Sequence, residues 1–403
     1  MKRLAIIPPS DSPIPAIDGG AIETLTTYFL EENEKNPTFL IDVYCLENVK
    51  LNDVNYKFTN ILQVPKPFAL KLNKLFFSLL NKIYSFFKIN KAFFYFDKQV
   101  AKYINYHMNY DYILVENNMN VFEYICRYRN GSEKLFFHLH NDILNSPYKS
   151  ERLCRLVYDK SEKIFCASDY LYERFNSFVG INELKKIKLL TNCIDFNLFK
   201  FSDEVKVNYL KKSFGIGTKD FVILYSGRIT PEKGVLELVQ AISMIEKKVN
   251  LKCVIIGDSW FGTKTESNYL SRIKDITKGD NRYIFVGRVA YDEINLYYQI
   301  ADLTVIPSKW EEPFGMVALE SLAMGCPILI TEKGGLKSIP NTKCGFIIDE
   351  SKGLTKGIYD SLKYIINIYP TINYSLKNEA INRAHSNYYG TGKYFELFVK
   401  EVD

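Results

Sequence analysis

Short apolar runs alternate with longer stretches of helical periodicity along the whole chain. Each apolar run has the length of a strand and ends at a turn-forming or polar residue. Apolar strands separated by helices are typical of parallel sheets that are buried on both faces. The pattern therefore predicts an α/β fold with strands at 4–7, 38–45, 112–116, 134–139, 163–167, 186–191, 221–226, 251–256, 283–287, 303–307, 327–331 and 345–348.

The predicted strands form two series, which indicates two doubly wound, Rossmann-like domains. Between the series, residues 199–220 are mixed in character and rich in charge, and we interpret them as the link between the domains. The last stretch is helical, and Gly390 and Gly392 should kink it. We expect a first domain, a second domain and a C-terminal helix that crosses back to the first, at 1–205, 206–380 and 381–403 respectively.

Two carboxylates accompany a helix that we predict over 315–324. Glu312 lies at the junction of loop and helix, and Glu320 lies eight positions later. Eight residues of helix span about 12 Å, so these acids can hold distant parts of one elongated ligand but not one small ion. Two solvated acids on a capped helix are the alternative. The backbone amides that could receive an anion or a sugar hydroxyl at the helix start include those of Phe314, Gly315 and Met316.

Candidate ligand-binding residues also follow other predicted strands. Arg228 leaves the turn after one strand and Lys233 stands just before the next helix, an arrangement that suits a diphosphate. Gly19 and Gly20 precede the first helix, where backbone amides can approach a phosphate. His140 lies beyond the carboxyl end of a strand, where open parallel sheets bind ligands. Solvated cations, a plain tight turn and a surface histidine are the respective alternatives.

The stretch from 66 to 98 is basic and amphipathic. No Asp or Glu occurs between Val54 and Phe96. Apolar residues recur at helical spacing and lysines fill the other side, the pattern expected of a helix in an anionic membrane interface. The residues that we expect to contact the membrane are Lys71, Lys74, Phe76, Lys82, Phe86 and Phe87. A core helix with a solvated lysine face is the alternative.

Composition narrows the class of protein. The 403 residues are 47% hydrophobic, enough for the cores of two or three domains. The net charge of +6 is mild and no nucleic-acid motif accompanies it, so we expect no nucleic-acid partner. The eight cysteines are scattered along the chain, so we expect them to be small buried apolar residues of a protein in a reducing compartment. The N-terminal residues enter a strand without a secretory signal pattern, so we expect a cytoplasmic protein.

Three motifs together resemble one enzyme family. They are Ser-Gly-Arg-Ile-Thr-Pro-Glu-Lys-Gly at 226–234, Glu-Pro-Phe-Gly-Met-Val-Ala-Leu-Glu at 312–320, and Ala-Met-Gly-Cys-Pro at 323–327 with Gly334 and Gly335 after it. In these motifs the chain resembles the retaining nucleotide-sugar glycosyltransferases of glycosyltransferase family 4, which have the GT-B fold. The resemblance implies two Rossmann-like domains that face a central cleft.

The resemblance also implies how the donor would be held. Arg228 and Lys233 would bind the donor diphosphate, helped by the amides of Gly19 and Gly20. Glu320 would bind the ribose hydroxyls. The base would lie near Arg288 and Val289.

For the transferred sugar, the resemblance implies a catalytic role for His140, which would sit near the reacting sugar. Glu312 is implied as the second catalytic residue, because it would hold the hydroxyls of that sugar. The backbone amides that would share this task are those of Phe314, Gly315 and Met316.

The implied function is that of a retaining hexosyltransferase. It would move a sugar from a nucleotide sugar, with a UDP-sugar favoured, to a lipid-linked oligosaccharide in capsule, exopolysaccharide or O-antigen synthesis. Because of the amphipathic stretch at 66–98, we also expect the protein to associate peripherally with the inner face of the cell membrane. The chain has no Asp-x-Asp, the motif of a metal clamp, so we expect no metal and no other cofactor. Transfer to a soluble acceptor, or a catalytically silent GT-B scaffold subunit, are the alternatives.

The membrane hypothesis predicts that charge reversal in the basic stretch weakens membrane binding. Changing Lys71, Lys74 and Lys82 to Glu should lower the affinity for anionic vesicles about tenfold or more, because each lysine loses its attraction to the surface. Vesicle co-sedimentation measures this, with the same change at Lys247, Lys248 and Lys252 as the control. Unchanged binding of the first variant would contradict the hypothesis.

Overall fold

The computed structural model describes residues 1–9, 13–17, 19–51, 53–64, 95–107, 109–129, 131–144, 151–180, 185–258 and 268–402. It divides into two compact units. The first unit joins Met1–Cys193 to Thr391–Asp403, and the second is Ile194–Gly390. No helix among the described residues is both long enough and apolar enough to cross a membrane.

The first unit contains a seven-stranded sheet among the described residues. Its strands are β1 Lys2–Ile7, β2 Phe39–Leu46, β3 Thr59–Val64, β4 Tyr112–Glu116, β5 Lys134–Leu139, β6 Lys163–Cys166 and β7 Ile187–Leu189. The order across the sheet is β3-β2-β1-β4-β5-β6-β7, and all neighbours are parallel. β4 is buried at every position, which explains its continuous apolar sequence.

Helices follow most of these strands. They are α1 Ala21–Lys35, α2 Tyr95–His107, α3 Met119–Tyr128, α4 Glu151–Lys160 and α5 Asp169–Val179, with a 3-10 turn at Val49–Leu51. Side chains cap two of the helix starts: Asn118 accepts hydrogen bonds from the N–H groups of Asn120 and Val121, and Ser168 accepts one from Leu171. Such caps satisfy amides that have no partner within the helix.

The second unit contains a six-stranded parallel sheet in the part of the chain that the structure describes. Its strands are β8 Phe221–Ser226, β9 Leu251–Ile256, β10 Tyr283–Gly287, β11 Leu303–Ile306, β12 Ile328–Ile330 and β13 Gly345–Ile347. They are arranged in the order β10-β9-β8-β11-β12-β13.

The helices of the second unit are α6 Glu204–Ser213, α7 Val235–Ser243, α8 Asn268–Thr277, α9 Ile294–Ile300, α10 Met316–Ala323 and α11 Leu354–Asn387. Its 3-10 turns are Pro231–Lys233, Tyr291–Glu293, Gly334–Ser338 and Glu350–Lys352. A final helix, α12 (Thr391–Val402), belongs to the first unit and packs on α1, where the ring of Phe29 lies 4.9 Å from those of Phe395 and Phe398.

The predicted α/β class with two Rossmann-like sheets is confirmed, with differences in detail. The sequence pattern missed β3, which is buried only at its two end residues and more exposed between them. The predicted link at 199–220 contains α6, whose first turn Asp203 caps. The predicted kink at Gly390 and Gly392 is wrong, because α11 ends at Asn387 and a separate helix begins at Thr391.

The boundary between the units lies at 193/194, whereas the sequence placed it at 205/206. The chain returns to the first unit at Thr391, ten residues after the predicted position of 381. The predicted membrane residues Lys71, Lys74, Phe76, Lys82, Phe86 and Phe87 lie outside the described residues.

Strand order reverses at one point in each sheet. In the first unit the reversal lies between β1 and β4, and in the second it lies between β8 and β11. Loops that leave neighbouring strands in opposite directions open a crevice at such a point, which is where open α/β sheets bind ligands. We therefore expect ligand-binding sites at the loops that follow these four strands.

A glycine allows two of these loops to meet in the second unit. Gly234 has φ 69°, in the left-handed region, and a Cβ at this position would overlap the carbonyl oxygen of Pro307, just after β11. Gly279 has a similar φ of 74° but no atom within 4 Å of a Cβ position. The two positions separate the effect of backbone conformation from that of close packing.

We predict that Gly234→Ala destabilises the protein more than Gly279→Ala does. The left-handed conformation alone costs about 1 kcal/mol in Gly279→Ala. Gly234→Ala must also move the backbone after β11, so its cost should reach about 3 kcal/mol. Urea denaturation measures both free energies of unfolding. Equal costs for the two variants would show that the contact with Pro307 is not tight.

Candidate active site

The loop after β8 is held at the edge of the second sheet by hydrogen bonds. The hydroxyl of Tyr225 donates to the carbonyl oxygen of Arg228 at 2.7 Å. The N–H of Ile229 donates to the carbonyl oxygen of Asp258, after β9, at 3.0 Å. The guanidinium of Arg228 is partly exposed and lies 3.7 Å from the carboxylate of Glu232. Arg228 therefore presents a cation at the carboxyl end of β8.

Lys233 ends the 3-10 turn at Pro231–Lys233, which has proline at its first position, where no N–H is needed. The N–H of Lys309, after β11, donates to the carbonyl oxygen of Glu232 at 2.8 Å. This bond joins the loops that follow β8 and β11. Lys233 consequently faces the segment that carries Glu312.

The central contact of this site joins Lys233 to Glu312. Nζ of Lys233 lies 2.6 Å from Oε1 of Glu312, and the hydroxyl of buried Ser308 donates to the same oxygen. Nζ also lies 5.1 Å from the centre of the Trp310 ring. Glu312 is only 7% exposed, so it is not the solvated acid of the alternative interpretation. The lysine is held but only partly buried, so it can still meet an anion.

Gly334 and Gly335, the glycine pair of the third motif, pack against the loop that carries Glu312. The N–H of Gly335 donates to the carbonyl oxygen of Glu312 at 2.6 Å. A Cβ at Gly334 would overlap the backbone of Glu312. These glycines therefore allow close packing against the carboxylate loop, and no larger residue fits at Gly334.

Helix α10 begins at Met316, four residues after Glu312. The helical estimate of about 12 Å between Glu312 and Glu320 therefore does not apply, because only Glu320 lies on the helix. Phe314 is buried against Tyr388, and Gly315 precedes the helix with φ 112°. Phe314, Gly315 and Met316 thus lie at the helix N-terminus, as predicted from the sequence.

Glu320 is buried in α10 and bound by two tyrosines. The hydroxyls of Tyr298 and Tyr291 donate to its two oxygens at 2.8 and 3.1 Å. Burial raises the pKa of Glu320, and the two hydrogen bonds oppose that effect. Tyr291 is 37% exposed, so one of the partners of Glu320 can be reached from solvent.

The predicted base-binding residues follow β10. The N–H of Gly257, after β9, donates to the carbonyl oxygen of Gly287 at 2.8 Å, which holds the two strand ends together. Arg288 and Val289 come next, and Val289 packs on the core of this unit. They lie at the same edge of the sheet as Arg228, because all these strands are parallel.

In the first unit, a cluster of buried polar side chains lies at the carboxyl ends of β4 and β5. Nε2 of His140 lies 2.6 Å from Oε2 of Glu116, and Nδ1 of His138 lies 3.3 Å from the same oxygen. His140 is 4% exposed, so it is not a surface histidine. Burial lowers the pKa of His138 to about 4. Burial would raise the pKa of Glu116, but its interactions with His138 and His140 hold it at about 2.

Glu116, His138 and His140 form the group among the described residues that could hold a metal ion. Two ligands of a tetrahedral zinc ion stand about 3.3 Å apart, given metal–ligand distances near 2.0 Å. The 2.6 Å between His140 and Glu116 is that of a direct, charge-assisted hydrogen bond. His140 and Glu116 are therefore too close to be two ligands of one zinc ion, and they form a hydrogen bond instead.

Gly19 and Gly20 precede α1 with φ of 80° and 116°. The carboxylate of Glu23, in the first turn of α1, lies directly against Gly20, where a Cβ would overlap it. A negative charge therefore stands beside the amides that were predicted to approach a phosphate. Their role in phosphate binding stays a prediction.

The structure thus brings Lys233 and Glu312 into contact. At the same edge of the sheet, Arg228 lies in the loop after β8 and Glu320 lies in α10. Gly19, Gly20 and His140 belong to the first unit. Sequence reasoning missed the partners of these residues, which are Glu116, His138, Tyr291, Tyr298, Ser308 and Trp310. Glu116 alone had a usable signal, since it is the last residue of a predicted strand that neighbours the strand before His140.

Part of the second unit matches a known family. Residues 207–367 match the model of the family described as glycosyl transferases group 1. This range contains Arg228, Lys233, Glu312 and Glu320. It excludes the whole first unit.

Two curated relatives share about a third of their aligned residues with this chain. The lipopolysaccharide 1,2-N-acetylglucosaminetransferase of Salmonella typhimurium is 30% identical over 227 residues, 56% of this chain and 55% of that protein. The capsular polysaccharide biosynthesis glycosyltransferase CapM of Staphylococcus aureus is 30% identical over 229 residues, 51% of this chain and 54% of that protein. The chain spans about half the length of these relatives.

A solved structure extends the likeness to the whole chain at the level of the fold. The Anabaena protein HepE in complex with UDP and glucose superposes with a TM-score of 0.72 at 17% identity, and the match covers 100% of this chain and 99% of HepE. The chain therefore has the GT-B fold, with two Rossmann-like domains, and its residues 207–367 match the glycosyl transferases group 1.

Proposed function

We propose that this protein is a retaining glycosyltransferase of family 4. It moves a hexose-type sugar from a nucleotide sugar, with a UDP-sugar favoured, to a lipid-linked oligosaccharide in surface polysaccharide synthesis. The observation that carries the proposal is the contact of Lys233 with Glu312 at the strand reversal of the second sheet, with Arg228 at the carboxyl end of β8, one of the two strands at that reversal. The match of residues 207–367 to group 1 glycosyltransferases supports it.

Arg228 and Lys233 suit a leaving diphosphate. Sugar transfer from a nucleotide sugar places negative charge on the departing phosphate, and fixed cations lower the barrier by stabilising that charge. Arg228 offers a planar fork of N–H donors, and Lys233 offers a point charge that is held by Glu312, which in turn accepts a hydrogen bond from Ser308. We propose that the amides of Gly19 and Gly20 contribute further donors.

Glu320 and Glu312 take different parts of the donor in this proposal. Glu320 binds the ribose hydroxyls, as a buried carboxylate that already accepts hydrogen bonds from hydroxyl groups. Glu312 binds hydroxyls of the transferred sugar. The backbone groups of Phe314, Gly315 and Met316 assist Glu312, and those of Arg288 and Val289 contact the base.

We propose that the sugar is transferred with retention of its anomeric configuration. The departing phosphate takes the proton of the acceptor hydroxyl on the face that it leaves, so no enzyme nucleophile is required. His140 acts at the transferred sugar. The proposed reaction needs no metal, because Arg228 and Lys233 replace the cation of a metal clamp.

The acceptor assignment rests on the relatives and on the basic stretch at 66–98. The printed names of two relatives refer to lipopolysaccharide and to capsular polysaccharide. We propose a lipid-linked glycan as acceptor and peripheral association with the cytoplasmic face of the cell membrane. A soluble acceptor is the alternative, and a transferase without affinity for anionic vesicles would favour it.

The proposal predicts that a nucleotide sugar stabilises the folded protein. At about 100 times its dissociation constant, the true donor should add roughly 2.7 kcal/mol to the free energy of unfolding. A thermal-shift screen of UDP- and GDP-sugars identifies it. Arg228→Ala should reduce the shift, because the variant loses a charged contact with the diphosphate.

Arg272→Ala is the matched control, since Arg272 is an exposed arginine on α8 of the same unit. This variant should keep the full shift. If Arg228→Ala and Arg272→Ala respond alike to the donor, Arg228 does not bind the phosphates. If no nucleotide sugar stabilises the wild-type protein, the proposed function itself is wrong.

A further inference from the structure

The side chain of His140 contacts the carboxylate of Glu116, a residue with no role in the reaction proposed above. Glu116 is the last residue of β4, and His140 directly follows β5, the neighbouring strand. Nε2 of His140 lies 2.6 Å from Oε2 of Glu116, and both side chains are almost fully buried, with 3% and 6% of their surfaces exposed. A buried charge–imidazole contact of this length strongly constrains the imidazole ring.

The backbone around His140 is fixed as well. Asn117 has φ 54°, an uncommon value for a residue other than glycine. Its side-chain oxygen accepts hydrogen bonds from the N–H groups of His140 and Asn141 at 3.1 and 3.0 Å. Its own N–H donates to the carbonyl oxygen of His138 at 2.8 Å. Asn117 therefore ties the end of β4 to the segment that carries His140.

The contact with Glu116 decides where the proton of His140 lies. A carboxylate can only accept hydrogen bonds, and the 2.6 Å between Oε2 of Glu116 and Nε2 of His140 is the length of a charge-assisted hydrogen bond. Nε2 of His140 must then carry a hydrogen. In the neutral ring the other nitrogen, Nδ1, is left as an acceptor.

Nδ1 of His140 is buried and has no hydrogen-bond partner among the described residues. Buried polar atoms without partners are rare, and those that persist call for an explanation such as catalysis. A ligand hydroxyl that donates to Nδ1 would satisfy the atom. Sugars offer many such hydroxyls.

We propose that Glu116 is a positioning residue that holds His140 as the Nε2–H tautomer, with Nδ1 ready to accept a hydrogen bond from a sugar hydroxyl. The role of His140 toward a sugar rests on the proposed function. The tautomer itself does not, because it follows from the contact of Glu116 with His140 alone.

Nuclear magnetic resonance of the whole chain with 15N-labelled histidine tests the tautomer directly. The chain has four histidines, so single His→Gln variants assign every signal. At pH 7.5 we expect His140 to have a protonated Nε2 and an unprotonated Nδ1. A protonated Nδ1 with a bare Nε2 would overturn the proposal, whether or not the protein transfers sugar.

Kinetics then test the positioning role. Glu116→Gln should lower kcat about tenfold or more and leave KM for the donor unchanged, because the amide no longer fixes the ring with a negative charge. Glu116→Asp keeps the charge and should recover part of the loss. An unchanged kcat in Glu116→Gln would overturn the proposal.

Glu133→Gln is the matched control for folding and charge. Glu133 is also a buried glutamate of the first unit, just before the other end of β5, and accepts a hydrogen bond from the N–H of Gly131. Its variant should keep the wild-type kcat and the wild-type signals of His140. A loss in Glu133→Gln as large as that in Glu116→Gln would assign both losses to stability and overturn the proposal.

Discussion

The ion pair between Lys233 and Glu312 is the contact on which the second unit's site depends. A carboxylate as buried as Glu312 is costly without a cation and donors around it, and Lys233 and Ser308 supply both. Their meeting requires the loops after β8 and β11 to approach closely, which Gly234 permits from one side and Gly334 from the other. Packing, backbone conformation and charge therefore depend on one another here.

The first unit applies the same principle at its own strand reversal. Glu116 is a buried carboxylate, and its partners are the imidazoles of His138 and His140 rather than a lysine. In each unit a buried carboxylate contacts the group expected to meet the ligand. The difference suits the proposed chemistry, since a fixed cation stabilises a phosphate and an imidazole nitrogen without a proton accepts a hydrogen bond from a hydroxyl.

The sequence predicted the sheets well because continuous apolar strands leave a strong local pattern, as the strand 112–116 does. It missed β3, which is buried only at its two end residues, and α6, whose exposed residues have weak periodicity. The partners of the site residues were beyond its reach. Nothing local in the sequence indicates that Tyr298 contacts Glu320. Nor does it indicate that Ser308 and Lys233 meet at one oxygen of Glu312. These contacts depend on strand order and on glycine packing.

Calorimetric titration with UDP and with uridine tests most directly whether Lys233 binds a nucleotide diphosphate. In the wild-type protein UDP should bind at least about tenfold more tightly than uridine, because charge-assisted hydrogen bonds hold the phosphates. Lys233→Met should remove most of that difference and leave uridine binding unchanged, whereas Glu320→Gln should weaken both ligands equally. Equal affinities of the wild-type protein for UDP and uridine would contradict the account.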